Sequence, residues 1–329
     1  MTVQPIPEIA DIEAAAHRIS GFAVRTPLIE SPVLNTLTGG RILLKAECLQ
    51  RTGSFKFRGA WNKISQLDPK LHKGGVVAYS SGNHAQGVAA AAQIKGLPAL
   101  IVMPKDTPLI KQNNTKGYGA DVVLYDRERE SREEIARRFT EERQAVLVPP
   151  FEDTDIIAGQ GTSGLEIAEQ AEEAGAKPDA ILVSASGGGL TAGIALAAEA
   201  RLPESAVYTV EPEGFDDYAR SLAAGRRVRN ARAAGSLCDA LMSQEPGETT
   251  FEINRRRLAS GLVVSDEEVK RAMRFGFETL KLVIEPGGSA ALAAVLAGKI
   301  ETRGRIIVAV ISGGNVDRGV FARVLCEAA

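Results

Sequence analysis

Lys56 lies between two phenylalanines in the segment GSFKFRGA, which spans residues 53–60. Two features of this setting lower the pKa of a lysine: apolar neighbours that exclude water, and the positive end of the helix predicted to begin here. A lysine that loses its proton can form a Schiff base with a carbonyl compound. A helix lysine can also lay its stem on apolar surface and keep its ammonium in water. Lys56 taken alone leaves both interpretations open.

A second candidate is the segment SGGGLTAG, residues 186–193, which follows an apolar run and precedes helix-like sequence. Such a turn leaves main-chain N–H groups unpaired at a helix N-terminus, where amides and the helix dipole bind phosphate. The segment lacks the Lys-Ser/Thr of a P-loop and the spacing of a dinucleotide fingerprint. It therefore predicts a site for a single phosphate without a metal, or else a tight turn that lets the helix pack on a sheet.

The segment SSGNHAQG, residues 80–87, also lies between an apolar run and helix-like sequence. The amides and hydroxyls of Ser81, Gly82 and Asn83 suit a carboxylate, although serine and asparagine are also ordinary helix N-caps. His84, just inside the predicted helix, is either a base or the partner in a structural hydrogen bond. This segment alone decides neither question.

Ser312 ends the apolar run RIIVAVIS, residues 305–312. Ligands of parallel sheets bind beyond the carboxyl ends of the strands. The Ser312 hydroxyl is therefore expected to point into the ligand crevice, with a simple cap on the strand end as the alternative.

Short apolar runs alternate with helix-like stretches along the chain, which predicts βαβ units, parallel sheet and an α/β fold. In one predicted helix, Ser131 and Glu134 have the spacing of a capping box. The stretch 224–250 has the weakest periodicity and is predicted to be a long loop. The predicted strands are residues 41–49, 75–81, 98–104, 120–126, 179–186, 206–212 and 305–312, and the predicted helices are residues 83–96, 107–119, 131–143 and about 190–200.

The composition argues against several classes of partner. The 329 residues carry a formal net charge of −2, which gives no basic excess for nucleic acid or for an acidic membrane surface. Cys48, Cys238 and Cys326 show neither zinc spacing nor a disulfide framework, so a reduced, cytoplasmic setting is expected. No signal-like segment is seen at the N-terminus, and no apolar run reaches the roughly 18 residues of a membrane span. The expected partner is a small molecule.

Taken together, these segments resemble one known family, the fold-type II pyridoxal-phosphate enzymes, and within it the threonine/serine dehydratases and serine racemase. The resemblance covers nearly the whole chain, and its motifs occur in the family's order. It implies an α/β fold of two open, twisted, mostly parallel sheets with flanking helices. The motifs are RTPLIESPVLN (residues 25–35), GSFKFRGA, SSGNHAQGVA, IVMPKDTP, VPPFED, IAGQGT, SGGGLTAG, EPEG, IEPGGSAALAA and ISGGNVD.

The resemblance implies a role towards pyridoxal 5′-phosphate for each matching residue. Lys56 would hold the cofactor as a Schiff base and act as the catalytic base, and Phe55 would pack beside the ring. Asn83 would hydrogen-bond the 3′-oxygen of the cofactor, and Ser312 would meet the ring nitrogen. Main-chain amides of Ser186, Gly187, Gly188, Gly189 and Leu190 would hold the phosphate, and Ser81, Gly82, Asn83 and His84 would bind the substrate carboxylate.

The activity implied by the resemblance is that of a lyase: a dehydratase that converts a β-hydroxy amino acid such as L-threonine or L-serine to a 2-oxo acid and ammonia. Serine-racemase activity is an alternative, because Ser81 occupies the position of the racemase's second catalytic residue. Ala240 replaces a glycine usual in the family, which leaves 3-hydroxyaspartate and aryl serines open as substrates. A non-enzymatic alternative is a sensor protein that binds the cofactor but does not turn over a substrate.

The racemase branch of the family also implies a cation site in EPEGFDD, residues 211–217. Glu211, Asp217 and the main-chain carbonyl of Phe215 would bind Mg²⁺ or Ca²⁺, since hard oxygen ligands suit these ions. An acidic, solvated loop is the alternative. The resemblance further implies a homodimer, a large cofactor-binding domain of residues 1–68 and 147–329, and a small domain of residues 69–146 that closes over the active site.

Overall fold

The computed structural model describes residues 5–80, 82–107 and 109–327, with the backbone alone described at Ile110. In these ranges the chain alternates between strands and helices. The strands are β1 Leu28–Glu30, β2 Arg41–Lys45, β3 Val76–Tyr79, β4 Ala99–Pro104, β5 Asp121–Tyr125, β6 Val146–Leu147, β7 Ala180–Ser184, β8 Ala206–Pro212, β9 Leu258–Val264 and β10 Ile306–Val310.

Helices connect and cover the strands. They are α1 Ile9–Ile19, α2 Pro32–Thr38, α3 Lys56–Ile64, α4 Asn83–Lys95, α5 Leu109–Gly117, α6 Arg132–Arg143, α7 Thr154–Glu173, α8 Gly189–Arg201, α9 Asp217–Ala224, α10 Glu248–Asn254, α11 Asp266–Phe275, α12 Ala290–Leu296 and α13 Arg318–Cys326.

The strands form two mostly parallel sheets. Six of them lie in the order β1-β2-β10-β7-β8-β9, in which β1 runs antiparallel to β2 and every other neighbouring pair is parallel. The other four form a parallel sheet in the order β5-β4-β3-β6. Central strands are buried on both faces, as in β7, where all five residues are buried. The predicted fold class, two mostly parallel sheets with flanking helices, is confirmed.

Most predicted elements are present, with small shifts at their ends. β8 coincides with the predicted strand 206–212, and α4 with the predicted helix but for its last residue. The Ser131 hydroxyl accepts a hydrogen bond from the main-chain N–H of Glu134 at 3.2 Å, as the capping-box spacing predicts. β2 stops at Lys45, four residues early, because the chain then enters two 3₁₀ turns that lead to α3. Several elements lie outside the predicted ones, among them β9 and α7.

Glycines bring the backbone of α3 close to helices on both sides. A Cβ at Gly159 of α7 would lie 2.5 Å from the Cα of Gly59. A Cβ at Gly87 of α4 would lie 3.2 Å from the main-chain carbon of Lys56 and 3.2 Å from the nitrogen of Phe57. Since glycine has no side chain, α4 and α7 can both approach α3 this closely. The helix that carries Lys56 is therefore fixed from two directions.

The first turn of α3 also contributes to a largely buried cluster of four charges, Lys45, Glu47, Arg58 and the half-buried Glu166. Arg58 donates to both carboxylate oxygens of Glu47, each at 2.8 Å, and to both of Glu166, each at 2.7 Å. Lys45 Nζ lies 2.5 Å from Glu166 and donates to the carbonyl of Thr26 at 2.7 Å. Each charge has an opposite partner and additional hydrogen bonds, which a buried ion pair requires. The cluster ties α3 to α7 and to the end of β2.

Of the helices in the described part of the chain, none combines the length and the apolar character that crossing a bilayer requires. Cys48 and Cys238 are buried free thiols, and Cys326 is an exposed one. These cysteines therefore form no disulfide, in agreement with their spacing in the sequence.

Candidate active site

The predicted site residues surround one cleft of about 620 Å³. It lies at the carboxyl ends of strands from both sheets: Tyr79 ends β3, Ser184 ends β7, and Ser312 follows β10. Parallel sheets bind their ligands at this edge. Ser81 falls outside the described residues, so its catalytic and substrate-binding roles stay predictions. The other predicted cofactor and substrate residues that line the cleft are Phe55, Lys56, Gly82, Asn83, His84, Ser186, Gly187, Gly188, Gly189, Leu190 and Ser312.

Lys56 is the first residue of α3, where the sequence predicted a helix to begin. Its Nζ donates a hydrogen bond to the carbonyl of Pro150 at 2.7 Å and lies 5.1 Å from the ring centroid of Phe55. Burial removes water from the ammonium, and this lowers the pKa of Lys56 to about 7. Half of the amine is therefore unprotonated at neutral pH, as a Schiff-base lysine requires.

The low pKa of Lys56 predicts how cofactor capture depends on pH. Only the neutral amine attacks an aldehyde, so the capture rate should rise about tenfold per pH unit at acid pH and level off above pH 7. Stopped-flow absorbance on cofactor-free protein measures this rate. Capture by a free lysine derivative, whose pKa is about 10.4, corrects for titration of the cofactor itself. A rate that still climbs through pH 9 would contradict the low pKa.

The turn between β7 and α8 has a backbone that only glycines can form. Gly188 has a φ of +91°, and a Cβ there would lie 1.8 Å from the hydroxyl of Tyr218. A Cβ at Gly187 would lie 2.3 Å from the ring of Phe151. Gly189 begins α8, so the unpaired N–H groups of the helix N-terminus lie at the cleft wall. This geometry fits the predicted cradle for one phosphate.

Side chains behind this turn hold its carbonyl groups. The Gly187 carbonyl accepts from Thr250 Oγ1 at 2.5 Å and from the Tyr218 hydroxyl at 3.4 Å, and the Gly188 carbonyl accepts from Asn254 Nδ2 at 3.3 Å. With the carbonyls fixed on the far side, the N–H groups of the turn have a set direction. The turn is thus organised by the protein itself rather than by a ligand.

The amide of Asn83 is oriented from both ends. Its Nδ2 donates to Glu285 Oε1 at 2.5 Å, and its Oδ1 accepts from Asn315 Nδ2 at 2.8 Å. Burial raises the pKa of Glu285 to about 7. Asn83 therefore presents a fixed side chain at the cleft wall, as a residue that contacts a cofactor ring substituent must.

Ser312 is buried, and its Oγ accepts a hydrogen bond from the hydroxyl of Ser184 at 2.9 Å. A serine hydroxyl has one proton and two lone pairs. Because Ser184 uses a lone pair, the proton of Ser312 is available to a partner in the cleft. This arrangement supports the predicted contact with a ring nitrogen.

His84 has a structural partner. Its Nε2 lies 2.9 Å from the carbonyl of Val148, and burial lowers the pKa of the imidazole to about 3. The ring is therefore neutral at physiological pH and donates Nε2–H to that carbonyl. Of the two interpretations of His84, this contact favours the structural hydrogen bond over a base.

The predicted cation ligands are buried together at the end of β8. Both carboxylate oxygens of Glu211 accept main-chain N–H groups, from Tyr218 at 2.8 Å and from Ala219 at 2.9 Å. Asp217 Oδ1 accepts from Asn230 Nδ2 at 2.6 Å, and Oδ2 has no partner among the described residues.

Burial and mutual repulsion raise the pKa of Glu211, and burial raises that of Asp217. Two buried carboxyl groups, one with an unpaired oxygen, fit a hard cation. In the described ranges, however, no cluster of three or more histidine, cysteine or acidic side chains has the geometry of a metal site. The Mg²⁺ or Ca²⁺ site at Glu211, Phe215 and Asp217 thus stays a prediction.

Comparisons with known proteins identify the family. A family model described as pyridoxal-phosphate dependent enzyme matches residues 19–313. The chain belongs to this family.

Three relatives illustrate its place among the pyridoxal-phosphate enzymes. An L-threo-3-hydroxyaspartate ammonia-lyase from Pseudomonas sp. is 44% identical over 96% of this chain and 97% of the relative. An L-threonine ammonia-lyase from Thermotoga maritima is 42% identical over 96% of this chain and 78% of the relative. The structure of maize serine racemase superposes with a TM-score of 0.91 at 38% identity, covering 97% of each chain.

The cleft suits the cofactor that defines the pyridoxal-phosphate enzymes. The cleft contains both the Lys56 amine, whose pKa is lowered, and an organised turn whose glycines leave room for a phosphate. Four polar residues of the cleft wall that bear on its chemistry were not among the predicted site residues, because their positions depend on contacts between distant parts of the chain. These residues are Lys111, Ser184, Asp239 and Glu285. The sequence signals for two of them were that Glu285 lies within the motif IEPGGSAALAA and that Ser184 lies near the end of a predicted strand.

Proposed function

We propose that the protein is a pyridoxal-phosphate-dependent ammonia-lyase that converts a β-hydroxy amino acid to a 2-oxo acid and ammonia. The observation that carries the proposal is the amine of Lys56, with a pKa of about 7, in the same cleft as a turn built for one phosphate. When bound there, pyridoxal phosphate supplies the electron sink that a deprotonated α-carbon needs. The residues of the chain supply binding, orientation and proton transfer.

Lys56 has two tasks in this reaction. It holds the cofactor until the substrate amine replaces it, and its freed amine then takes the proton from the substrate α-carbon. The β-hydroxyl group leaves with a proton as water, and the enamine product hydrolyses to the 2-oxo acid and ammonia. A base with a pKa near 7 accepts and returns protons efficiently at neutral pH.

Ser312 supports elimination over transamination. A carboxylate beside the ring nitrogen would keep that nitrogen protonated and strengthen the electron sink, whereas a hydroxyl leaves it nearly neutral. With Ser184 donating to its oxygen, Ser312 has only a neutral O–H to offer. A weaker sink favours early loss of the β-hydroxyl group.

The position of Arg132 supports a substrate with a second carboxylate. Its guanidinium lines the cleft, lies 5.2 Å from the ring centroid of Tyr79, and pairs with Glu133 at 2.7 Å. Arginine binds carboxylates through paired, charge-assisted hydrogen bonds. The Pseudomonas relative is named for L-threo-3-hydroxyaspartate. We therefore propose this dicarboxylic amino acid as a substrate beside L-threonine and L-serine.

Arg132→Met should separate these substrates. We expect kcat/KM for L-threo-3-hydroxyaspartate to fall about 10-fold or more, the usual effect of losing a hydrogen bond to a charged group, while kcat/KM for L-threonine stays within about twofold. Steady-state assays of oxo-acid release measure both.

Arg138→Met is the matched control, because Arg138 lies on the same helix, is 62% exposed and pairs only loosely with Glu142 at 3.6 Å. Equal losses on both substrates would show that Arg132 does not bind the second carboxylate.

The general proposal is tested with purified, cofactor-loaded protein and a panel of β-hydroxy amino acids. Release of 2-oxobutyrate and ammonia from L-threonine, pyruvate from L-serine, or oxaloacetate from L-threo-3-hydroxyaspartate is the expected result. Bound cofactor without oxo-acid release from any of them would support the non-catalytic sensor instead. Formation of D-serine from L-serine, abolished by Ser81→Ala, would add racemase activity, for which the similarity to maize serine racemase is the support.

We propose the same assembly and location as the resemblance implies. Residues 69–146 would form a small domain that closes over the cleft, since three strands of the smaller sheet lie within this range and the fourth, β6, begins at its last residue. The free thiols support a cytoplasmic location. Light scattering coupled to size-exclusion chromatography tests for the homodimer.

A further inference from the structure

The cleft contains a buried cation that the proposed chemistry does not use. Lys111 of α5 is 5% exposed and lines the cleft. Its Nζ lies 2.5 Å from Oδ2 of Asp239, which is in a 3₁₀ turn that lies in another part of the chain. Burial of an ammonium is costly, so a lysine placed here calls for a reason beyond packing.

The ammonium of Lys111 adjoins the turn that precedes α4. A Cβ at Gly82 would lie 3.3 Å from Cδ of Lys111 and 3.4 Å from its Nζ. Gly82 is the N-cap of α4, a helix of 13 residues, and so lies at the positive end of a helix dipole. The lysine therefore adds a full charge beside main-chain amides that already suit a carboxylate.

Lys111 is charged under physiological conditions. Burial opposes the charge, but Asp239 and Glu285 raise the pKa of Lys111 above its ordinary value. The other described cations of the cleft wall differ from it. Lys56 has a pKa of about 7, and Arg229 is exposed. Arg127, Arg132 and Arg227 are each about one third exposed and pair with neighbouring acids.

Asp239 accepts a hydrogen bond from only one of the N–H donors of this ammonium. An ammonium has three N–H donors, and among the described residues only Asp239 takes a hydrogen bond from Lys111 Nζ. The Asp239 carboxylate is itself 40% exposed and thus partly solvated. Glu285, which also faces Lys111, has a pKa near 7 because of burial, so it carries less than a full negative charge.

We propose that Lys111 is a substrate-binding residue whose ammonium contacts the α-carboxylate of an amino acid bound at the Gly82–His84 turn, with Asp239 holding the ammonium in position. The inference rests on the proposed function, since it requires an amino-acid substrate in this cleft. It adds a charged side chain to a carboxylate subsite that the sequence predicted from residues 81–84 alone.

The test compares two ligands that cannot undergo elimination, L-alanine and its isostere L-alaninamide, in which a neutral amide replaces the carboxylate. Their dissociation constants are measured on cofactor-loaded protein from the shift of the cofactor's visible absorption. Lys111→Met should weaken L-alanine about 30-fold, the usual range for losing a charged partner, and leave L-alaninamide unchanged. Lys111→Arg, which keeps the charge, should restore most of the preference for L-alanine.

Lys116→Met is the matched control, because Lys116 lies on the same helix and is exposed. It should alter neither dissociation constant. An unchanged preference in Lys111→Met, or equal weakening of both ligands, would overturn the inference, because a purely structural lysine does not distinguish the two. A wild-type protein that loads the cofactor yet binds neither ligand would overturn the proposed function as well, so the two failures are distinguishable.

Discussion

Lys56→Ala should abolish both the visible colour of the bound cofactor and the release of 2-oxo acid. The variant lacks the amine that holds the cofactor aldehyde and takes the α-proton, and loss of a positioned base alone costs up to about 10⁴-fold in rate. Absorbance spectra and single-turnover assays measure the two effects. Added ethylamine should restore a small part of the turnover, because it can replace the missing amine in the cleft.

Lys63→Ala is the control for this variant. Lys63 also lies on α3, but it is paired with Asp153 at 2.7 Å and is not a residue of the cleft wall. Colour and turnover should both survive, although the variant loses stability because its partner Asp153 is mostly buried. Turnover in Lys56→Ala that equals the wild type would refute the role of Lys56 in catalysis.

Gly188→Ala should lower the affinity for pyridoxal phosphate about 100-fold. The left-handed backbone at φ +91° costs a non-glycine residue about 1–2 kcal/mol, and overpacking costs about 1–3 kcal/mol. The new methyl group would lie 1.8 Å from the Tyr218 hydroxyl, so the phosphate turn must shift. Titration of cofactor-free protein, followed by absorbance, measures the change.

Gly119→Ala is the control that separates the effect of backbone strain from the effect of the steric clash with Tyr218. Gly119 has a φ of +81°, and a Cβ there would meet nothing within 4 Å. This control should lose some stability but keep its cofactor affinity. If Gly188→Ala binds the cofactor as tightly as Gly119→Ala does, the turn is not the phosphate site.

The alternation of apolar runs predicted the fold class, but it did not predict every element, and α7 and β9 show why. α7 contains Gly159, Gly161 and Gly164, which lower helix propensity and indicate loop when only local sequence is considered. Tertiary packing reverses that preference, since these glycines let α7 approach α3 and α8 closely. β9 was missed for a similar reason: Gly261 interrupts its apolar pattern, and a Cβ there would lie 2.6 Å from Ala219.

The site was predictable where its residues follow strands. Ser312 and the turn at Gly187–Gly189 each follow a buried strand, and parallel strands bring such ends to one edge. The contacts that set their chemistry were not predictable. The hydrogen bond between Asn83 and Glu285 joins residues that are 202 positions apart in the sequence, and the one between Lys56 and the Pro150 carbonyl joins residues 94 positions apart. Sequence spacing carries no information on such pairings, because they arise only when the two sheets are in place.

The buried cluster of Lys45, Glu47, Arg58 and Glu166 constrains how this sequence can diverge. Loss of one member leaves the cluster with an uncompensated charge, at a cost of about 3–5 kcal/mol when that charge is buried, which is a large share of the 5–15 kcal/mol that keeps a typical protein folded. Replacement of the whole set by apolar residues of similar volume carries no such penalty. Substitutions at these positions are therefore coupled: a lineage that leaves this arrangement must remove a positive and a negative side chain together, so that the charges that stay buried remain paired.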